Sequence, residues 1–230
     1  MPTLLAVDAS ASLCSVALLH QGQWWHKAEE QPRRQAQRLL PMVSELLAEA
    51  GVAKSQLQGV AYGCGPGSFT GIRIAASVTH GIALGLELPV YGVSSLQALA
   101  QNVFSHSQAQ QVFAIMNAHM GEVFWGQFQR QEQLCTAIAA EQVGEPSRCL
   151  EDIAQFSGEL AGDGLLLSDF SLLNQTYAQT SPLALHVLEL ALPAWQNQQF
   201  TVAEQQLPVY LRDSVAWKKL DEQPSLLSRS

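Results

Sequence analysis

The densest run of chemically suggestive residues is Gly63-Cys64-Gly65-Pro66-Gly67-Ser68-Phe69-Thr70-Gly71-Ile72-Arg73, set between a strand-like and a helix-like segment. Glycines let backbone N–H groups approach an anion, and a following helix N-terminus adds positive potential. Ser68 and Thr70 supply hydroxyl donors and Arg73 a charge. With Asp8 and Ser10 from an earlier turn, Gly65, Gly67, Ser68, Thr70, Gly71 and Arg73 form the candidate set for phosphate contact. The alternative is a tight turn that only permits close packing. Two named phosphate motifs fail on spacing. A Walker loop needs Lys and Ser/Thr after its last glycine, where Ile72-Arg73 stands, and a dinucleotide fingerprint from Gly63 and Gly65 needs glycine where Ser68 stands. Asp8, Ser10 and Ser12 occupy a place suited to holding metal and phosphate, but Asp and Ser are also ordinary turn formers.

Other reaction chemistry finds no footing. Ser68 is not in a GxSxG elbow, since Pro66 and Thr70 flank it. The histidines at 20, 26, 80, 106, 119 and 186 never fall three to five apart, so no helical metal pair is visible. Cys14, Cys64, Cys135 and Cys149 show no CxxC spacing and read as reduced thiols of a cytoplasmic protein. The N-terminus lacks a basic leader, and the apolar run from Leu183 to Trp195 is interrupted and shorter than a membrane span requires. Neither catalytic nor metal-binding residues are therefore assigned, and no membrane association is expected. Twelve basic against twenty acidic residues give a net charge of −8, which argues against a chain that grips a nucleic-acid backbone alone.

Positioning these residues requires a regular frame. Leu4–Val7 is an apolar strand, Leu13–Leu19 a second, and Trp24–Ala28 a third beyond a glycine-containing turn. Ala36, Leu39, Leu40, Val43, Leu46, Leu47 and Ala50 then recur at helical spacing, and Gly51 follows as a helix stop. A strand at Leu57–Gly63, a helix from Gly71 to Gly85, a strand at Pro89–Val93 and a helix opened by Ser94 with Gln97 complete the first half. This order is that of an actin-like (ribonuclease H-like, ASKHA) α/β unit. Ala114-Ile115-Met116-Asn117-Ala118 repeats Leu5-Ala6-Val7-Asp8-Ala9 at an offset of 109 residues, which points to a duplicated fold of two lobes. The division expected is 1–106, 107–220 and a polar tail at 221–230. In the second lobe we expect helices near Pro146–Phe156 and Pro182–Trp195 and a short strand around Gly164–Leu167.

The helix after the glycine loop is apolar nearly all round, and such a helix must be covered on all sides. Either the preceding helix completes its cover or a partner protein does. The candidate partner surface is Leu39, Leu40, Val43, Leu46 and Leu47 on the first helix and Ile74, Ala75, Val78 and Ile82 on the second.

Leu5-Ala6-Val7-Asp8-Ala9-Ser10, Leu39-Leu40-Pro41-Met42-Val43, GPGSFTGIRIA, Val93-Ser94-Ser95-Leu96, Gly121-Glu122-Val123-Phe124 and Tyr210-Leu211-Arg212-Asp213 resemble the TsaB (YeaZ) family in order along almost the whole chain. GPGSFTG followed by Ile-Arg is the specific element. The resemblance, to a group also called glycoprotease-like, implies a non-catalytic scaffold. Its role would be to dimerise with the catalytic paralogue TsaD, which transfers threonylcarbamoyl from its adenylate to the tRNA adenosine beside the anticodon. TsaE would act through the complex and tRNA would be reached indirectly. ATP or ADP would bind only weakly or within the complex, and a homodimer could replace the heterodimer when TsaD is absent. TsaD's paired histidines have no counterpart in Val93–Leu99. Asn117 and His119 replace the family's usual Asp and Arg, and Gln35 its usual His. The runner-up is an actin-like small-molecule kinase using the glycine loop for ATP; a peptidase lacks both nucleophile and metal.

Overall fold

The computed structural model describes residues 1–30 and 34–212. The expected tail and Asp213 lie outside the described residues. The first sheet has the order β3-β2-β1-β4-β5, with β1 (Leu4–Asp8), β2 (Leu13–His20), β3 (Gln23–Glu30), β4 (Gly59–Gly65) and β5 (Val90–Ser94). The first three strands run antiparallel, while β4 lies parallel to β1 and β5 parallel to β4. Gln21 and Gly22 both take positive φ, 50° and 80°, as the two-residue turn between right-twisted strands demands. The second sheet has the order β10-β6-β7-β8, built from β6 (Gln111–His119), β7 (Glu122–Gln131), β8 (Leu134–Ala137) and β10 (Glu159–Ala161); β9 (Gln142–Gly144) also pairs with β7. Again the first two strands are antiparallel and the last lies parallel to the first. The actin-like duplication is thus visible in strand order and direction.

Helices α1 (Gln35–Glu49) and α2 (Phe69–Leu86) cover the outer face of the first sheet. Helices α3 (Ser95–His106) and α5 (Ala184–Gln196) lie between the sheets and touch each other. There α3 packs mainly on the second sheet and α5 on the first. Helix α4 (Pro146–Ile153) and the 3-10 turns at Asp163–Leu166 and Ser168–Phe170 close the outer face of the second sheet. Five layers result. The middle layer belongs to both halves, so a cut between 106 and 107 crosses the packing: α5, expected in the second lobe, is core to the first sheet.

Two further differences from the sequence reading have local causes. The strand expected at Gly164–Leu167 is the 3-10 turn, because Gly164 packs against Ile115 and the chain leaves β10 at Gly162, φ 109°. Helix α2 runs past Gly85 to Leu86, and its cap is Glu87, which takes the left-handed conformation and donates its N–H to Ala83 O. By length and composition α2 could span a membrane, but Ile72, Ala75, Ala76, Thr79 and Ala83 are buried on the first sheet, as in a core helix.

Candidate functional site

The glycine-rich loop and the β1–β2 turn are built into one another. Asp8 and Ser10 are fully buried, and Ser10 donates its N–H to Asp8 Oδ1 (3.2 Å) and its hydroxyl to Oδ1 and Oδ2 (3.1 and 3.0 Å). Burial raises the Asp8 pKa to about 6, against the lowering effect of those bonds. A Cβ on Gly63 would lie 1.8 Å from Asp8 Oδ2, one on Gly67 2.4 Å from Ser10 O, and one on Gly71 1.9 Å from Ala9 O. Each glycine therefore admits a piece of the opposing turn. Gly65 instead takes φ 109°, with Val209 O 2.7 Å from where its Cβ would be.

The groups proposed to meet a phosphate are largely engaged. Ser68 donates its N–H to Ser10 O (2.8 Å), caps α2 by accepting from Gly71 N (3.3 Å), and offers its carbonyl to Ile72 N (2.9 Å). Arg73 points away to the Tyr210 hydroxyl, which accepts from its Nε at 2.9 Å. Thr70 is exposed at the helix start. What the sequence did not reveal is the C-terminal strap. Gln206 O accepts from Tyr62 OH (2.8 Å) and faces His80 Nε2 (2.9 Å), while Val209 N–H donates to Cys64 O (2.8 Å). Arg212 then crosses to the second lobe, where it pairs with Glu122 and donates to Ala118 O (3.3 Å). The strap so spans the space between the glycine-rich loop and the β6–β7 turn, leaving beside it an apolar cavity of about 380 Å³.

Two of the departures from the family pattern, Gln35 and Asn117, have a structural role. Gln35 donates to Ala11 O (3.1 Å) and so ties α1 to the first turn. Asn117 donates its N–H to Asp163 Oδ1 (3.0 Å) and accepts from His119 N (2.8 Å) with its side chain. Among the described residues no three His, Cys, Asp or Glu side chains gather as metal ligands. All four cysteines are free and buried; burial raises Cys64, Cys135 and Cys149 to about 12 and Cys14 to about 11, which keeps them as unreactive thiols at neutral pH.

The second feature is a groove of about 500 Å³ between α1 and α2. The nine candidate partner residues divide by depth. Leu39, Leu46 and Ala75 face the sheet and are core. Val43 and Leu47, nearly fully buried, form the groove floor, and Leu40, Val78 and Ile82 its walls. Leu40 is 50% exposed and Ile74 is half-buried at the groove's end. Leu84, on α2, is 63% exposed. The preceding helix thus covers only part of α2. Gly81 and Gly85 also line the groove, with open space where a Cβ would stand.

A family model described as TsaD, tRNA N6-adenosine threonylcarbamoyltransferase, matches residues 28–191. Over nearly full length the chain is similar to tRNA threonylcarbamoyladenosine biosynthesis protein TsaB of Haemophilus influenzae, at 38% identity over 95% of this chain and 97% of the relative. TsaB of Escherichia coli is 37% identical over 94% and 97%. Among solved structures, YeaZ from Pseudomonas aeruginosa is 40% identical with a TM-score of 0.83, covering 92% of this chain and all (100%) of that one. A second structure, of an uncharacterised protein with similarity to peptidase YEAZ from Pseudomonas aeruginosa, is 43% identical with a TM-score of 0.85 over the same shares.

Proposed function

The chain belongs to the TsaB (YeaZ) family of tRNA threonylcarbamoyladenosine biosynthesis proteins, and from this we propose that it is the non-catalytic, activating subunit that docks on TsaD through α1 and α2. One observation carries the reading: the α1–α2 groove leaves apolar side chains of an otherwise well-packed first lobe open to water. Leu40 and Leu84 are half or more exposed, and Val78 and Ile82 line a groove whose floor is already core. The match to a transferase family model does not argue for catalysis here. The stretch Val93–Leu99 carries no histidine, and its Ser94 caps α3 by accepting from Gln97 N at 3.1 Å. The acidic net charge favours tRNA being held by the rest of a cytoplasmic complex. Nucleotide binding by the isolated chain is not expected, because the loop's Ser68 and Gly71 N–H groups have protein acceptors and its glycines hold backbone.

Copurification with TsaD from the same genome tests the reading. Val43 is only 3% exposed, so a charge there would disturb folding, and the informative variants are Leu40→Glu and Val78→Glu. The expected result is a stable pair with the wild type and loss of pairing with either variant at unchanged melting temperature. Pairing that survives both would remove α1–α2 as the interface. Reconstituted threonylcarbamoyl transfer by TsaD and TsaE, with and without this chain, then tests activation itself.

A further inference from the structure

At the N-terminal end of α2 the apolar groove runs into a fixed positive charge. The Arg73 guanidinium carbon lies 3.5 Å from the centroid of the Phe69 ring and 5.5 Å from that of Tyr210. The two rings are 6.0 Å apart, and Arg73 Nε donates to the Tyr210 hydroxyl. Phe69 and Tyr210 are 49% and 46% exposed, so this aromatic clamp stands on the surface. Among the described residues no carboxylate pairs with Arg73. Among the described residues one hydrogen bond, from Nε to the Tyr210 hydroxyl, uses one of the five N–H donors of its guanidinium. A hollow of about 440 Å³ beside it is lined by Ala36, Phe69, Thr70, Arg73, Ile74 and Val78, and shares Ser77 and Val78 with the α1–α2 groove. Groove, hollow and cation are one continuous surface.

Contact with the Phe69 ring on one side and the hydrogen bond to the Tyr210 hydroxyl on another fix the guanidinium before any partner arrives, so little side-chain freedom is left to lose on binding. An exposed cation of this kind, set at the end of an apolar groove on a chain of net charge −8, matches a planar acceptor. We propose that Arg73 is the specificity contact of the partner face. It would receive an Asp or Glu carboxylate carried by a helical partner whose apolar side chains fill the α1–α2 groove. Tyr210, from the C-terminal strap, is its positioning residue. The inference rests on the docking proposed above and adds to it the chemistry that the partner must present.

The affinity of full-length protein for TsaD, measured at 50 and 300 mM NaCl (Debye lengths of roughly 14 and roughly 6 Å), tests this. Arg73→Gln should weaken binding at least about tenfold at low salt and flatten the salt dependence, as expected for loss of a charge-assisted bidentate pair. Arg73→Lys should recover only part, and Tyr210→Phe should lose a few-fold through the unanchored guanidinium. Thermal melts of each variant matching the wild type exclude misfolding as the cause. If Arg73→Gln binds within twofold of wild type with the same salt slope while Val78→Glu abolishes binding, the carboxylate contact is wrong and the docking face stands. If neither variant affects binding, the docking face itself is wrong. Association with a second copy of this chain in place of TsaD would overturn the proposed occupant.

Discussion

At the end of β4 and at the end of β10 the backbone does the same thing. Gly65 and Gly162 both take φ 109°, each beside a strand running parallel to its sheet's first strand. Each loop presses on its sheet's central hairpin, Gly71 on Ala9 O and Gly162 on Ile115 O. Each site also holds an acid whose pKa desolvation raises: Asp8, fully buried on the hairpin in the first lobe, and Asp163, half-buried on the loop in the second. Beyond that point the lobes part. After β4 the chain enters eighteen residues of α2, with one face on the sheet and another open. After β10 it coils into two 3-10 turns that bury Leu165 and Phe170 at once. Among the described residues only the first lobe thus raises an outer pair of helices with an apolar groove between them. The second lobe's outer layer has one eight-residue helix, α4, whose single fully covered residue is Cys149. A duplicated scaffold has kept a shared loop geometry and put the partner-facing surface on one copy.

The most severe way to break the correspondence is to add a methyl where the loop grips its hairpin. Gly71→Ala would place Cβ 1.9 Å from the Ala9 carbonyl oxygen, which is backbone and has no rotamer by which to yield. We expect a loss of about 3 kcal/mol or more in chemical denaturation. Gly162→Ala, with Cβ 2.2 Å from Ile115 O and positive φ, should cost a similar amount. If Gly71→Ala unfolds within about 1 kcal/mol of wild type, the loop does not grip the hairpin through that missing side chain.

The buried acids give the next effect, visible through pH. Asp8 rises from 3.8 to about 6 because burial disfavours its charge, so the folded protein holds that proton more tightly than the unfolded chain. Stability from this group is therefore present below about pH 4 and is lost as pH rises to about 6, a change of about 3 kcal/mol at most. The Asp8→Asn variant should gain on the wild type across that window, measured as the difference in unfolding free energy between pH 4 and pH 7. Asp163→Asn should move in the same direction by less, since Asp163 is only half-buried where Asp8 is fully buried. Equal and flat differences for both variants would show that neither acid is buried in solution.

How much of this could be read from the chain follows the range of each interaction. Strands β1 to β3 and helices α1 and α2 announce themselves through local periodicity, and the repeat of Leu5–Ala9 at Ala114–Ala118 exposes the duplication. Strands β9 and β10, three residues each, are too short for a period to show. The glycine loop was legible as a tight turn or a cradle, but not as which. What Gly71 avoids is a carbonyl 62 positions earlier, and only the fold brings them together. Apolar spacing on α1 identified a stripe without its depth, so Leu39 and Leu46, which are core, read the same as Leu40, which is exposed. The strap from Leu207 to Arg212 has no period, and Tyr210-Leu211-Arg212 marks a family resemblance without showing what it touches; its hydrogen bonds to Cys64 and Ala118 and its pairing with Glu122 are all long-range.

The smallest expected effect on stability separates packing from docking most cleanly. Gly81 lies mid-helix on the groove side of α2, and nothing stands within 4 Å of where its Cβ would be. Unlike Gly71, it has no internal contact that requires a missing side chain. Gly81→Ala should raise stability by about 0.5–1 kcal/mol, because alanine restricts the unfolded chain and favours helix. The same methyl fills space that a closely approaching partner helix would need. We therefore expect the variant to melt higher than wild type and yet bind TsaD more weakly, in the same preparation. Higher stability with unchanged binding would mean that the partner does not approach α2 at Gly81. Lower stability would mean that the groove is already occupied by this chain's own residues. The sign of two measurements on one added carbon thus decides whether the open face of the first lobe is a docking surface.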